Sequence, residues 1–201
     1  MDAVELAYGE AGTGPAVVLI HGHPFNRSMW APQLAALADR YRVIAPDLRG
    51  YGDSPVTPGT VPMRELAADV ARLLDGLGVA RAAPVGLSMG GLVTMELAAA
   101  TPARWWALGL VATTAEPVTD PERSDRRARA DQAERDGIRA LAEDLAARLF
   151  GPEAGTPKLG WSARGSARGG AARRRTRDPR PPHPSARGTP AEAEPQRRST
   201  T

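Results

Sequence analysis

Residues 86–91 read Gly86-Leu87-Ser88-Met89-Gly90-Gly91, and this stretch decides the fold. Arg81 to Gly86, just upstream, has the composition of a buried central strand, and Gly90 to Ala100, just downstream, that of a helix. The Gly-x-Ser-x-Gly pattern therefore falls on a strand-to-helix turn. A turn that sharp brings Gly86 and Gly90 against neighbouring backbone, where a Cβ would clash. It also lifts the serine hydroxyl above the carboxyl edge of the sheet, where open α/β sheets bind their substrates. Alone the pattern is weak, because Gly and Ser are common in loops; the flanking sequence gives it meaning.

Working outward, short apolar runs alternate with longer segments of helical spacing, the signature of a mostly parallel α/β sheet. Val4 to Tyr8 reads as a leading strand, followed by a turn with Gly9, Gly12, Gly14 and Pro15, and Ala16 to Ile20 reads as a strand buried on both faces. A helix is expected from about Ser28, whose hydroxyl suits a cap, with Trp30, Leu34 and Leu37 on one face. Tyr41 to Ala45 is the next strand. Leu66, Val70, Leu73, Leu74 and Leu77 mark an amphipathic helix with Pro62 in its first turn and an end at Gly76 or Gly78. Leu108 to Thr113 reads as a further strand. Beyond it lie a solvated helix or loop over Asp120 to Asp136 and an amphipathic helix carrying Ile138, Leu141, Leu145 and Leu149. Two features run against this reading: Pro84 removes a ladder donor from the predicted central strand, and the bulky pair Trp105-Trp106 stands just before the next one.

Three motifs recur in a fixed order, each after a strand: His21-Gly22-His23-Pro24, then Asp47-Leu48-Arg49-Gly50-Tyr51-Gly52-Asp53-Ser54, then the Ser88 turn. In this order and spacing the chain resembles the α/β-hydrolase fold family. The similarity covers roughly residues 4 to 150 and lies with its small cofactor-independent esterases, enol-lactonases and haloperoxidase-like perhydrolases. The resemblance implies that Ser88 is the nucleophile and that the backbone N–H groups of His23 and Met89 form the oxyanion hole. It implies a small-molecule ester or lactone as substrate and no cofactor. Relatives that open epoxides or remove halide carry Asp at the elbow, so Ser88 points away from both. In the resembling family, helices at about residues 115–150 form a cap over the site and shape its pocket. Phe25 and Trp30, beside the oxyanion loop, are candidate apolar walls of that pocket, with core packing as their other reading.

Other residues invite chemical readings. His21 and His23 form a His-x-His pair, but Phe25 occupies the place where the metallo-β-lactamase pattern has Asp, so no metal site is expected. His21 reads instead as a structural residue of the oxyanion loop. Asp47, Arg49 and Asp53 read as ion pairs that shape their loop.

A serine hydroxyl is a poor nucleophile without a hydrogen-bonded base. The fold's chain order is Ser, then Asp or Glu, then His. After Ser88 the one His is His183, inside Arg-Pro-Pro-His-Pro, a stretch without strand or helix signals; Glu116 and Asp120 are fallback candidates for the acid. On this reading the acid and the His are missing and catalysis is impaired.

Composition explains why. The 201 residues hold three His, no Cys and a net charge of +3. Without Cys there is no thiol nucleophile and no Cys-ligated zinc. The acidic N-terminus is unlike a signal peptide and no apolar run spans a bilayer, so a cytoplasmic protein is expected. Residues 1–157 carry 15 Arg against 20 acidic residues, whereas 158–201 carry 11 basic residues against three. This Arg/Ala/Pro/Gly-rich tail buries too little apolar area to offset roughly 1–2 kcal/mol of backbone entropy per residue, so disorder is expected there. The expectation is thus a partial α/β-hydrolase domain over 1–157 and a disordered tail over 158–201. Arg, Ala, Pro and Gly all belong to GC-rich codon families, so a frameshift after about residues 155–157 accounts for the tail. A second reading, from another class, has Arg173-Arg174-Arg175 binding nucleic acid or another anionic surface by counterion release. No interleaved aromatics support base stacking there.

Overall fold

The computed structural model describes residues 2–137. The tail at 158–201, His183 and the amphipathic helix predicted from Ile138 lie outside these residues. Five strands form one sheet: β1 (Tyr8–Ala11), β2 (Ala16–Ile20), β3 (Arg42–Pro46), β4 (Ala82–Leu87) and β5 (Gly109–Val111). Their order is β1-β3-β2-β4-β5, with β1 antiparallel to β3 and every other pair parallel. Helices α1 (Ala31–Leu37), α2 (Met63–Gly76) and α3 (Met89–Ala100) connect the strands, and α4 (Asp120–Asp136) follows β5.

Alternation along β2 and β3 divides the core between the two sheet faces. Val18, Ile20 and Ile44 pack with Leu66, Val70 and Leu74 of α2 and Val93 and Leu97 of α3. Val17, Leu19, Val43 and Ala45 face the other way, toward Trp30, Leu34 and Leu37. A strand covered on both faces needs the continuous apolar run that the sequence shows. Each fully buried aliphatic side chain contributes roughly 1.5–3 kcal/mol.

Several boundaries differ from expectation. The leading strand is Tyr8–Ala11, not Val4 to Tyr8, because the alternation of Val4, Leu6 and Tyr8 records burial while a ladder needs a partner. Pairing with β3 starts at Tyr8↔Pro46, and upstream only the Asp47 N–H to Ala7 carbonyl bond at 2.8 Å continues it. The first helical segment opens as a 3-10 turn over Arg27–Trp30, and its cap is Asn26, whose side chain accepts the Ser28 N–H at 2.9 Å. Ser28 is therefore not the cap. Pro62 stands at the N-cap of α2, one residue before its first turn.

Pro84 does occupy the central strand, and the ladder accommodates it. The Ala82 carbonyl accepts the Trp106 N–H, so Ala82 and, two residues on, Pro84 direct their backbone polar groups toward the β5 side. On that side an isolated bridge joins Ala82 to Trp105 and pairing resumes only at Val85↔Gly109. The missing donor falls in this gap.

Among the described residues β5 lies at a sheet edge, and Leu110 and Val111, which point to opposite faces, are 50% and 42% exposed. Helix α4 buries none of its residues, as its charge density predicts. No helix among the described residues is long and apolar enough to cross a membrane.

Candidate active site

Ser88 stands between the last residue of β4 and the first of α3 with φ 51° and ψ −113°. Such a conformation costs a non-glycine residue about 1–3 kcal/mol and persists only where its surroundings enforce it. The enforcement is visible. A Cβ at Gly86 would lie 2.1 Å from the Gly90 carbonyl oxygen, and one at Gly90 would lie 2.2 Å from that of Ile20. The Ser88 N–H donates to the Val111 carbonyl at 2.9 Å, and the Ser88 carbonyl accepts both the Gly91 N–H and the Thr113 hydroxyl at 2.9 Å. Ser88 itself is exposed, and among the described residues its hydroxyl has no hydrogen-bond partner.

The loop after β2 lies against this turn. A Cβ at Gly22 would sit 3.0 Å from the Leu87 carbonyl oxygen and 3.3 Å from Ser88 Cβ. His23 follows, joined to Pro24 by a cis peptide bond. Among the described residues, neither the His23 nor the Met89 backbone N–H donates to a protein acceptor. Met89 opens α3, so its N–H is one of the unpaired donors at the positive end of a 12-residue helix.

His21 is fully buried and its two ring nitrogens are both engaged. Nε2 accepts the Leu48 N–H at 3.0 Å, so Nδ1 carries the proton and donates to the Gly22 carbonyl at 3.0 Å. Burial pushes its pKa below the ordinary 6.5. His21 thus clamps the β2 loop to the β3 loop through backbone groups.

The β3 loop is itself fixed by charge. Asp47, fully buried, accepts the Arg27 N–H at 2.7 Å, the Asp53 N–H at 2.9 Å and the Arg27 guanidinium. A Cβ at Gly52, where φ is +54°, would meet the Asp47 carboxylate at 2.1 Å. Arg49 forms a bidentate pair with Asp69 of α2, both bonds at 2.7 Å. Asp69 was invisible in sequence, since it interrupts an otherwise apolar helix face.

Tyr51, between Gly50 and Gly52 of this loop, was not singled out from sequence, although an aromatic between two glycines was the available signal. Its hydroxyl lies 2.9 Å from His23 Nδ1 and 3.5 Å from Met89 Sδ. Burial raises its pKa above the ordinary 10.0, and burial likewise lowers that of His23.

Of the candidate pocket walls, Phe25 is half-buried on the loop, its N–H bonded to the Gly22 carbonyl at 2.9 Å. Trp30 takes the second of its two readings: at 7% exposure it packs with Val17, Leu19 and Val43 in the core. Glu116 is exposed, and the Asp120 side chain is 99% exposed; among the described residues neither pairs with a histidine.

The sequence model of the alpha/beta hydrolase fold family matches residues 15–194. The 3-oxoadipate enol-lactonase 1 of Acinetobacter baylyi is 34% identical over 136 residues, which are 68% of this chain and 50% of that protein. Among solved structures, a thermophilic esterase from Thermogutta terrifontis is 41% identical with a TM-score of 0.70, over 73% of this chain and 54% of its own. An enol-lactonase from Burkholderia xenovorans is 37% identical with a TM-score of 0.68, over 74% and 58%. The chain spans about half the length of the curated relatives it matches.

Proposed function

The chain belongs to the alpha/beta hydrolase fold family, and from that premise we propose that it is built to hydrolyse a carboxylic ester or lactone of a small molecule with Ser88 as nucleophile. The Ser88 hydroxyl oxygen attacks the carbonyl carbon, and the backbone N–H groups of His23 and Met89 hold the oxyanion. Collapse of the tetrahedral intermediate expels the alkoxide, which leaves as the alcohol and, for a lactone, stays attached through the acyl chain. Water then releases the acyl group from Ser88. The hydroxyl proton needs a base; among the described residues none touches Ser88, so no acid or base is assigned.

The observation that carries this reading is the strained conformation of an exposed serine at φ 51°, held by the close backbone packing around Gly86 and Gly90. Two backbone donors, without acceptors among the described residues and one of them at the positive end of α3, stand on the segments flanking it. The similar proteins named enol-lactonase and esterase support the substrate class.

The test uses the purified full chain and a p-nitrophenyl alkylphosphonate, which transfers phosphorus to a reactive serine and releases a coloured phenolate. The expected result is a stoichiometric adduct on the peptide carrying Ser88, formed slowly because no base is assigned and absent in Ser88→Ala. An adduct of equal yield in Ser88→Ala, or none in the wild-type chain, overturns the reading.

A further inference from the structure

We infer that Tyr51 is a positioning residue for the oxyanion hole: its one hydroxyl joins the side chains of His23 and Met89, the two residues whose backbone N–H groups are assigned as donors. The inference rests on the proposed chemistry at Ser88 and adds to it a residue from a third loop.

The two donors come from segments far apart in sequence, and an oxyanion hole works only when both N–H groups are held at fixed distance from the same point. Gly22 packing against Leu87 and Ser88 sets the approach of the two backbones. The peptide plane that bears the His23 N–H also carries the Gly22 carbonyl, which accepts from His21 Nδ1 at 3.0 Å and from the Phe25 N–H at 2.9 Å; what those bonds leave is the His23 side of that peptide, where Tyr51 holds the side chain. Among the described residues, the side chains of His23 and Met89 have no hydrogen bond other than those to Tyr51. With its hydrogen given to Met89 Sδ, the Tyr51 oxygen accepts from His23 Nδ1. The ring adds edge contacts to His21 at 5.1 Å and His23 at 5.9 Å between centroids.

Tyr51 is a firm anchor because its own loop is fixed elsewhere. The Tyr51 N–H donates to the Leu48 carbonyl at 2.9 Å and its carbonyl accepts the Ser54 N–H at 3.0 Å. The Ser54 hydroxyl donates to the Asp47 carbonyl at 2.7 Å. The Asp47 carboxylate is itself buried and saturated. Order in this charged loop therefore passes through one phenol to the side chains of both donor residues.

Tyr51→Phe keeps the ring and removes only the link. Two readouts on the full chain decide the matter. Phosphonylation of Ser88 is expected to slow roughly tenfold in its maximal rate, with the half-saturating phosphonate concentration within about twofold of wild type. Backbone N–H order parameters from NMR relaxation are expected to fall at His23 and Met89 and to stay unchanged at Val18 and Val85. Unchanged order at both donors overturns the inference, as does a rate loss expressed only in the half-saturating concentration. Absence of phosphonylation in the wild-type chain instead sinks the nucleophile assignment, and the order parameters still decide whether Tyr51 orders the two N–H groups. Met89→Leu, which removes one arm of the link, is expected to lower the order parameter at position 89 more than at His23.

Discussion

The carbonyl oxygen of Ile20, at the end of β2, occupies the space that a side chain on Gly90 would need, 2.2 Å from where its Cβ would stand. The first turn of α3 is therefore seated on the end of a neighbouring strand, and the position of Ser88 follows from that seat.

In a helix Ala is favoured over Gly by up to about 1 kcal/mol. At Gly90 the clash is with backbone of a buried strand, which cannot yield as a flexible side chain does. Gly90→Ala is thus expected to destabilise by roughly 1–3 kcal/mol or more despite the helical gain. Urea denaturation measures this, and an unchanged midpoint would show that the contact is slack.

At Ser88 the usual ranking of small residues should invert. Ala normally stabilises relative to Gly by limiting the unfolded chain, by about 0.4–1 kcal/mol. At φ 51° and ψ −113° the Ala variant retains the strain and the Gly variant releases it. Ser88→Gly is expected to be more stable than Ser88→Ala by about 1 kcal/mol. Thermal unfolding of the two variants side by side gives the sign directly.

His21 makes stability depend on pH. Its pKa in the folded chain lies below 6.5 because it is buried, so below that pH the unfolded chain binds more protons. The full stability is present above pH 6.5 and declines as pH falls toward the folded-state value. Burial of His23 acts in the same direction. Protonation would also point a second N–H from His21 Nε2 at the Leu48 N–H. Unfolding midpoints measured from pH 7.5 down to 5 should fall, and more gently in His21→Asn; parallel profiles would rule out His21 as the source.

The Arg49 and Asp69 side chains are 1% and 0% exposed. Removing the carboxylate charge alone takes the strongest partner from a buried guanidinium that also contacts Glu65 at 3.2 Å and the Asp2 carbonyl at 3.1 Å. Asp69→Asn is expected to cost about 3 kcal/mol, whereas the paired change Arg49→Met with Asp69→Leu should recover most of it. Denaturation of the single and paired variants tests this; equal losses would mean that the pair matters for more than its charges.

Much of this was legible in sequence because the signals are local. The apolar run of β2, the 3.6-residue spacing of α2 and the glycines around Ser88 each report on a few neighbouring residues, and strands β2, β3 and β4 lie within one residue of expectation. The misplaced or undecided features depend on distant partners. Strand β1 is defined by where β3 begins to pair, and Trp30 is buried by packing with Val17, Leu19 and Val43.

The α/β class, the strand-to-helix turn at Ser88 and the charged character of α4 followed from the sequence by itself, since backbone sterics and hydrophobic periodicity act within a few residues. Tertiary structure alone decided that Pro84 meets a gap in the ladder, that Asp69 belongs to Arg49, and that Tyr51 touches both His23 and Met89. Those outcomes depend on which segments meet in space, and a hydrogen bond between residues 28 or 38 positions apart leaves no periodic trace along the chain.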